Sequence, residues 1–208
     1  MTNTDDLITS LAADGATAPA HSLRRFLLPL IAVSLVNALL LLLILGEPFA
    51  AIAQYGIGPM VVKWGFSLPL AFGAAYALHA LGKPGVNAKN RILFLALPFI
   101  AAGVLLGVDL ANNGGMFPGR TWAQCLAAMG VFSPVCFAGA VLAARWLAPT
   151  ELRKAGGVAG LFGGGMAMTC YAPFCPELGM LYMFSFYVLP IMAMAGLGWL
   201  FGPKLLRW

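Results

Sequence analysis

Four cysteines are the residues of this chain best suited to chemistry: Cys125, Cys136, Cys170 and Cys175. Thiolates attack oxidants, pair as disulfides and bind soft metal ions. No CxxC occurs, whereas a thiol oxidoreductase normally carries closely spaced redox cysteines. His21 and His79 lie far apart in sequence, so there is no histidine cluster with metal-ligand spacing. What the thiols can do therefore depends on which of them the fold brings together, and on which side of a barrier they meet.

The barrier is a membrane. The 208 residues are 61% hydrophobic and 9% charged, against about 25% charged for a soluble domain. Such a chain cannot cover its surface with polar groups. Six apolar runs approach the roughly 20 residues of a spanning helix: 27–45, 57–81, 92–110, 121–147, 156–173 and 178–201. Short breaks carrying turn residues separate them, among them Gly46-Glu47-Pro48, Gly82-Lys83-Pro84-Gly85, Ala148-Pro149-Thr150 and Cys175-Pro176-Glu177. The expected fold is an all-α, six-helix membrane domain over 27–208, preceded by a tail over 1–26.

Basic residues set its orientation. Arg24, Arg25, Lys83, Lys89, Arg91, Arg145, Arg153, Lys154, Lys204 and Arg207 fall on one side of the six-span arrangement, and only Lys63 and Arg120 fall toward the other. The positive-inside rule then makes both termini cytoplasmic. The fifth run is Gly-rich and the least hydrophobic, but a five-span arrangement would send Lys204 and Arg207 outside. Basic residues scattered at the ends of apolar runs anchor helices in a membrane and do not make a phosphate-tracking surface, so no direct nucleic-acid contact is expected.

This topology places Cys125 at the outer start of span four and Cys175 in the outer turn between spans five and six. In a bacterium that face is the periplasm, where disulfides persist. The two thiols can pair, stay free or hold a soft metal ion, and spacing leaves these alternatives open. Cys136 lies roughly 16 Å deeper along span four, where an inert structural thiol is expected. Cys170 lies about one turn inside Cys175, either packed or joining the outer cluster.

Inside the membrane, Gly156, Gly160 and Gly164 recur at every fourth position. That spacing lets helix backbones approach closely, and tight packing within the chain is favoured over a homo-oligomer interface. Pro69, Pro98, Pro134 and Pro190 fall within spans, and kinks of this kind could line a transport path. A small transporter or channel is thus an alternative, as is a quinone-linked thiol oxidoreductase, although five of the spans lack an ionisable residue near the centre. Lys63 is expected to snorkel to the outer interface or to meet Asp109, and Asn37 to hydrogen-bond between helices.

The tail differs in composition. Asp5 and Asp6 suit the first turn of a short helix, and Leu7, Ile8 and Leu11 fall on one face of it. About ten residues make a marginal helix in water, so the apolar face calls for a partner. Its acidic residues argue against anionic lipid as that partner.

The segments TDDLITSLAADG, WAQCLAAMGVFSP, FCPELGMLYMFSFYVLP and the closing KLLRW resemble the NrsF family in order, spacing and topology along nearly the whole chain. Those proteins are six-span inner-membrane negative regulators of an extracytoplasmic-function sigma factor. The resemblance implies a non-enzymatic, cofactor-free anti-sigma factor. Its tail, with Asp5, Asp6, Leu7, Ile8 and Leu11, would hold the cytoplasmic sigma factor, and Cys125 and Cys175 would sense metal or oxidative stress. Cys136 and Cys170 match nothing in the family pattern and inherit no role. Phe174 stands where the family motif carries a histidine ahead of the second cysteine, which weakens metal binding through that position.

Overall fold

A computed structural model describes residues 4, 8–10, 21–48, 52–53, 56–83, 86, 88–113, 119–177 and 179–207. Among these the chain is helical, with no strand. The main helices are α1 (His21–Leu45), α2 (Gly58–Leu81), α3 (Lys89–Phe94), α4 (Ala96–Asn113), α5 (Trp122–Arg145), α6 (Leu152–Tyr171), α7 (Met180–Met183) and α8 (Leu189–Leu205). α3 and α4 form one nearly continuous rod, and a π-helical turn, Phe184–Val188, joins α7 to α8.

Five segments are long and apolar enough to cross a membrane: Leu23–Leu45, Gly58–Leu81, Lys89–Asn112, Trp122–Arg145 and Met180–Leu205. They match five of the six expected runs. The other run, 156–173, lies largely in α6, which has sufficient length at 20 residues but falls outside this apolar set. Its position explains why. α6 packs against α8, α5 and α2, and twelve of its residues are buried. A helix sheathed by other helices need not be apolar toward lipid. It needs small residues so that its neighbours can approach.

The glycines supply that closeness. A Cβ on Gly156 would stand 2.1 Å from the Gly198 carbonyl oxygen, and one on Gly160 would stand 2.4 Å from that of Met194. At Gly164 the obstacle would be Ile191 Cγ1 at 2.8 Å. Gly198 and Gly202 of α8 answer from the other side, each blocked by α6 backbone. All three expected packing glycines thus lie against α8 of the same chain.

α1 packs mainly on α5. Val33 fills the space above Gly139, and Asn37 Nδ2 donates to Cys136 Sγ at 3.2 Å. The α3–α4 rod is the least buried of the apolar segments. Pro190 lies two residues beyond the π-helical turn, so the carbonyl four residues before it falls inside that turn. A proline ring presses on the carbonyl four residues earlier, and widening the preceding turn relieves that clash.

One end of the bundle collects basic side chains. Arg25 lies over the Trp146 ring at 5.7 Å, Arg153 over Trp199 at 4.8 Å, and Arg145 Nε donates to the Leu205 carbonyl at 2.7 Å. Phe26 meets His79 there, with ring centroids 5.2 Å apart. Cys125, Cys175 and Lys63 gather at the opposite end.

Candidate functional site

The site forms where the start of α5, the turn after α6 and the π-helical turn converge. Thr121 precedes α5, so Cys125 projects inward one turn into that helix. A short 3₁₀ turn, Ala172–Phe174, ends α6 and leaves Cys175 in extended conformation, facing the same space. Cys125 and Cys175 are both free, at 0% and 2% exposure, with their sulfurs 3.3 Å apart.

Three tyrosines enclose them. Tyr182 Oη donates to Cys125 Sγ at 2.8 Å. The hydroxyls of Tyr187 and Tyr171 lie 3.3 Å and 3.5 Å from the same sulfur. Thr121 Oγ1 sits 3.1 Å from Tyr182 Oη and donates to Glu177 Oε1 at 3.3 Å. Glu177 in turn fills the space beside Gly119, where any Cβ would overlap its carboxylate.

Lys63 completes the site, and here the expectation is corrected. It does not snorkel to the interface. It is 2% exposed, and its Nζ donates to the Cys175 carbonyl at 2.5 Å and lies 5.7 Å from the Tyr187 ring centroid. Nor does it take Asp109 as counter-ion: among the described residues Lys63 forms no carboxylate ion pair, and Asp109 Oδ2 accepts from the Met180 amide at 3.2 Å. The hydrogen bond from Cys125 draws the pKa of the Cys175 thiol below its ordinary value; burial opposes this, and the Lys63 charge adds to the lowering.

Cys170 does not join this cluster. Its thiol points to the Ser34 carbonyl at 3.9 Å, toward the α1 side, where Cys136 accepts from Asn37. Asn37 makes the interhelical bond expected of it, but Asn37 Oδ1 and Ser133 Oγ are buried without partners. No group of three or more His, Cys, Asp or Glu suited to a metal ion occurs among the described residues. Two thiols alone are an incomplete ligand set for most metals.

Of the tail positions, Asp5, Asp6, Leu7 and Leu11 lie outside the described residues, while Ile8 is helical and exposed. An apolar groove of about 750 Å³ lies between the α3–α4 rod, α6 and α8. Phe99, Leu161, Met192 and Trp199 line it, with Lys154 at its edge. Such a lining suits acyl chains and offers a polar solute no partners.

Lys63, Thr121, Tyr171, Tyr182 and Tyr187 were not foreseen as site residues. Three tyrosines within thirteen residues of Cys175 were the available signal. Tyrosine near the end of a span ordinarily reads as an interface anchor, which masks it.

Comparison with known proteins adds identity to this geometry. The profile of a family described as NrsF, negative regulator of sigma F, matches residues 11–208. The chain is 34% identical to the probable anti-sigma-F factor NrsF of Azospira oryzae over 99% of both sequences. It is 30% identical to the anti-sigma-F factor NrsF of Caulobacter vibrioides, again over 99% of both. No solved structure matches. With a match over nearly its whole length and two full-length relatives of the same description, the chain belongs to the NrsF family of negative regulators of sigma F.

Proposed function

We propose that this chain is an anti-sigma factor of the bacterial inner membrane, crossing it six times with both termini cytoplasmic. The tail, residues 1–26, holds an extracytoplasmic-function sigma factor through Asp5, Asp6, Leu7, Ile8 and Leu11. Oxidation of Cys125 and Cys175 at the periplasmic face releases it. The membrane domain over 27–208 is the sensor and the anchor.

The observation that carries this reading is the meeting of two free thiols, 3.3 Å apart, at the end of the bundle opposite the basic residues. Cytoplasmic ends carry the arginines and lysines, which leaves the thiols on the oxidising side. Family membership supports a sigma factor as partner. Oxidation is favoured over metal capture because the described residues provide no third ligand. Burial of both sulfurs disfavours reaction with a protein dithiol, which argues against the oxidoreductase reading.

Co-purification from detergent-solubilised membranes tests the partner. The full chain is expected to bring down a sigma factor, and a chain lacking residues 1–22 to bring down none. Equal recovery with both chains would remove the tail from the contact.

A further inference from the structure

We propose that Lys63 is the counter-ion of the Cys125–Cys175 pair, and that α2, which carries it, relays loss of that pairing to Phe26 at the base of the tail. This rests on the thiol-sensor reading above and supplies its transmission.

A buried lysine keeps its charge only beside an anion; without one it gives up its proton or moves to water. Lys63 has neither solvent nor a carboxylate among the described residues, and its polar partner is the main chain of Cys175. The charged and titratable groups around the site are few. Glu177 accepts from Thr121, Asp109 accepts from Met180, Arg120 is exposed, and Tyr171, Tyr182 and Tyr187 turn their hydroxyls to Cys125. The group placed to carry negative charge beside Lys63 is the sulfur pair, as a thiolate hydrogen-bonded to the remaining thiol. Lys63 is thus a positioning residue: it acts through the sulfur it keeps ionised.

Oxidation by a peroxide removes this anion. The thiolate sulfur attacks one peroxide oxygen, the O–O bond breaks, and hydroxide leaves, giving a sulfenic acid. The second thiol attacks that sulfur, the S–S bond forms, and water departs with the thiol proton. The sulfur pair has given two electrons to the peroxide, and Lys63 now faces a neutral disulfide.

α2 is built to report the change. Lys63 stands near its first turn and His79 near its last, about 24 Å apart along the axis. The His79 ring packs on Phe26, where the tail enters α1. Near the thiol end, Trp64 Nε1 donates to the Thr169 carbonyl at 3.0 Å and Thr169 Oγ1 donates to Ser67 at 2.9 Å, defining the seat of α2 on α6 while the pair is intact. A lysine that keeps its proton after losing that anion moves toward water, and the helix that carries it shifts against that seat.

The test uses the full chain in lipid nanodiscs. Thiolate ultraviolet absorbance, taken as the difference from a Cys125→Ser/Cys175→Ser chain, is followed against pH, with melting of each variant recorded. Lys63→Met is expected to move the titration midpoint up by roughly 1–3 pH units, while Lys63→Arg keeps the unmutated profile. In Lys63→Met, hydrogen peroxide is further expected to form the disulfide without releasing the sigma factor. An unchanged midpoint in Lys63→Met overturns the counter-ion, and release after disulfide formation in that variant overturns the relay. Should Lys63→Met fail to fold, thiolate absorbance in the unmutated protein at pH 6 decides: its presence supports the counter-ion and its absence overturns it. Failure of the sensor reading itself gives a different result, peroxide-driven release from a chain in which both cysteines are serine.

Discussion

A Cys125→Ser/Cys175→Ser variant is expected to lose every response of its sigma-factor binding to peroxide. Serine preserves the size of each side chain and a hydroxyl for the surrounding hydrogen bonds, so the fold survives, while basal binding weakens because no thiolate remains beside Lys63. What is lost is redox chemistry. In the unmutated chain the two sulfurs are 3.3 Å apart and within reach of a disulfide after a small adjustment. Effector couplings in proteins typically change affinity about 5–150-fold, and that is the range expected for peroxide acting on the unmutated chain. In the double variant the change should vanish. Each single variant should likewise form no disulfide, because one remaining thiol cannot close it, but it keeps a thiol beside Lys63 and hence its basal grip. Sigma-dependent reporter expression, with and without peroxide, reads all four chains. A single variant that still responds fully would rule out the disulfide as the signal.

The second large effect is structural. Gly160→Leu is expected to break the seam between α6 and α8. Even a Cβ at that position would meet the Met194 carbonyl oxygen at 2.4 Å and Ala195 Cα at 2.7 Å. Both obstacles are main chain, so relief requires the helices to part. Overpacking of this kind costs about 1–3 kcal/mol, and a leucine against backbone lies at or beyond the top of that range. α6 also carries the turn to Cys175, so the variant should lose the thiol site along with its stability. Gly130→Ala is the control: its Cβ would have nothing within 4 Å, and alanine is the better helix former by roughly 1 kcal/mol. Thermal melting of purified protein should place the two variants on opposite sides of the unmutated chain. Similar melting of both would mean that close approach at Gly160 contributes nothing.

Much of this molecule was legible because a membrane simplifies sequence. Apolar run length and turn residues placed the main helices, with ends close to those observed for α2 and α5. Charge asymmetry put Cys125 and Cys175 at one end without any contact information. The ambiguity over the run at 156–173 has a physical cause. Hydropathy measures compatibility with lipid, and α6 meets its own neighbours instead. Its glycines carried the better signal.

The site was legible only in part. Cys125 and Cys175 could be paired by topology, but Lys63 comes from α2, far from both in sequence, and the tyrosines near Cys175 read as interface anchors. No local pattern encodes the approach of Lys63. Lys63 was misread because a lysine near the end of a span ordinarily reaches for the interface, whereas this one turns inward to the Cys175 carbonyl. Cys170 was left open because helix rotation within a bundle is set by packing. In this fold it faces Ser34 on α1, one side away from the thiol pair.

The central claim is that the redox state of Cys125 and Cys175 governs the grip of the tail. The most direct measurement is the affinity of the purified sigma factor for the full chain in nanodiscs, before and after peroxide, with the Cys125–Cys175 disulfide quantified by mass spectrometry. The account predicts tight binding to the reduced chain and weakened binding that tracks disulfide formation. Equal affinity for the reduced and fully oxidised chains would contradict it.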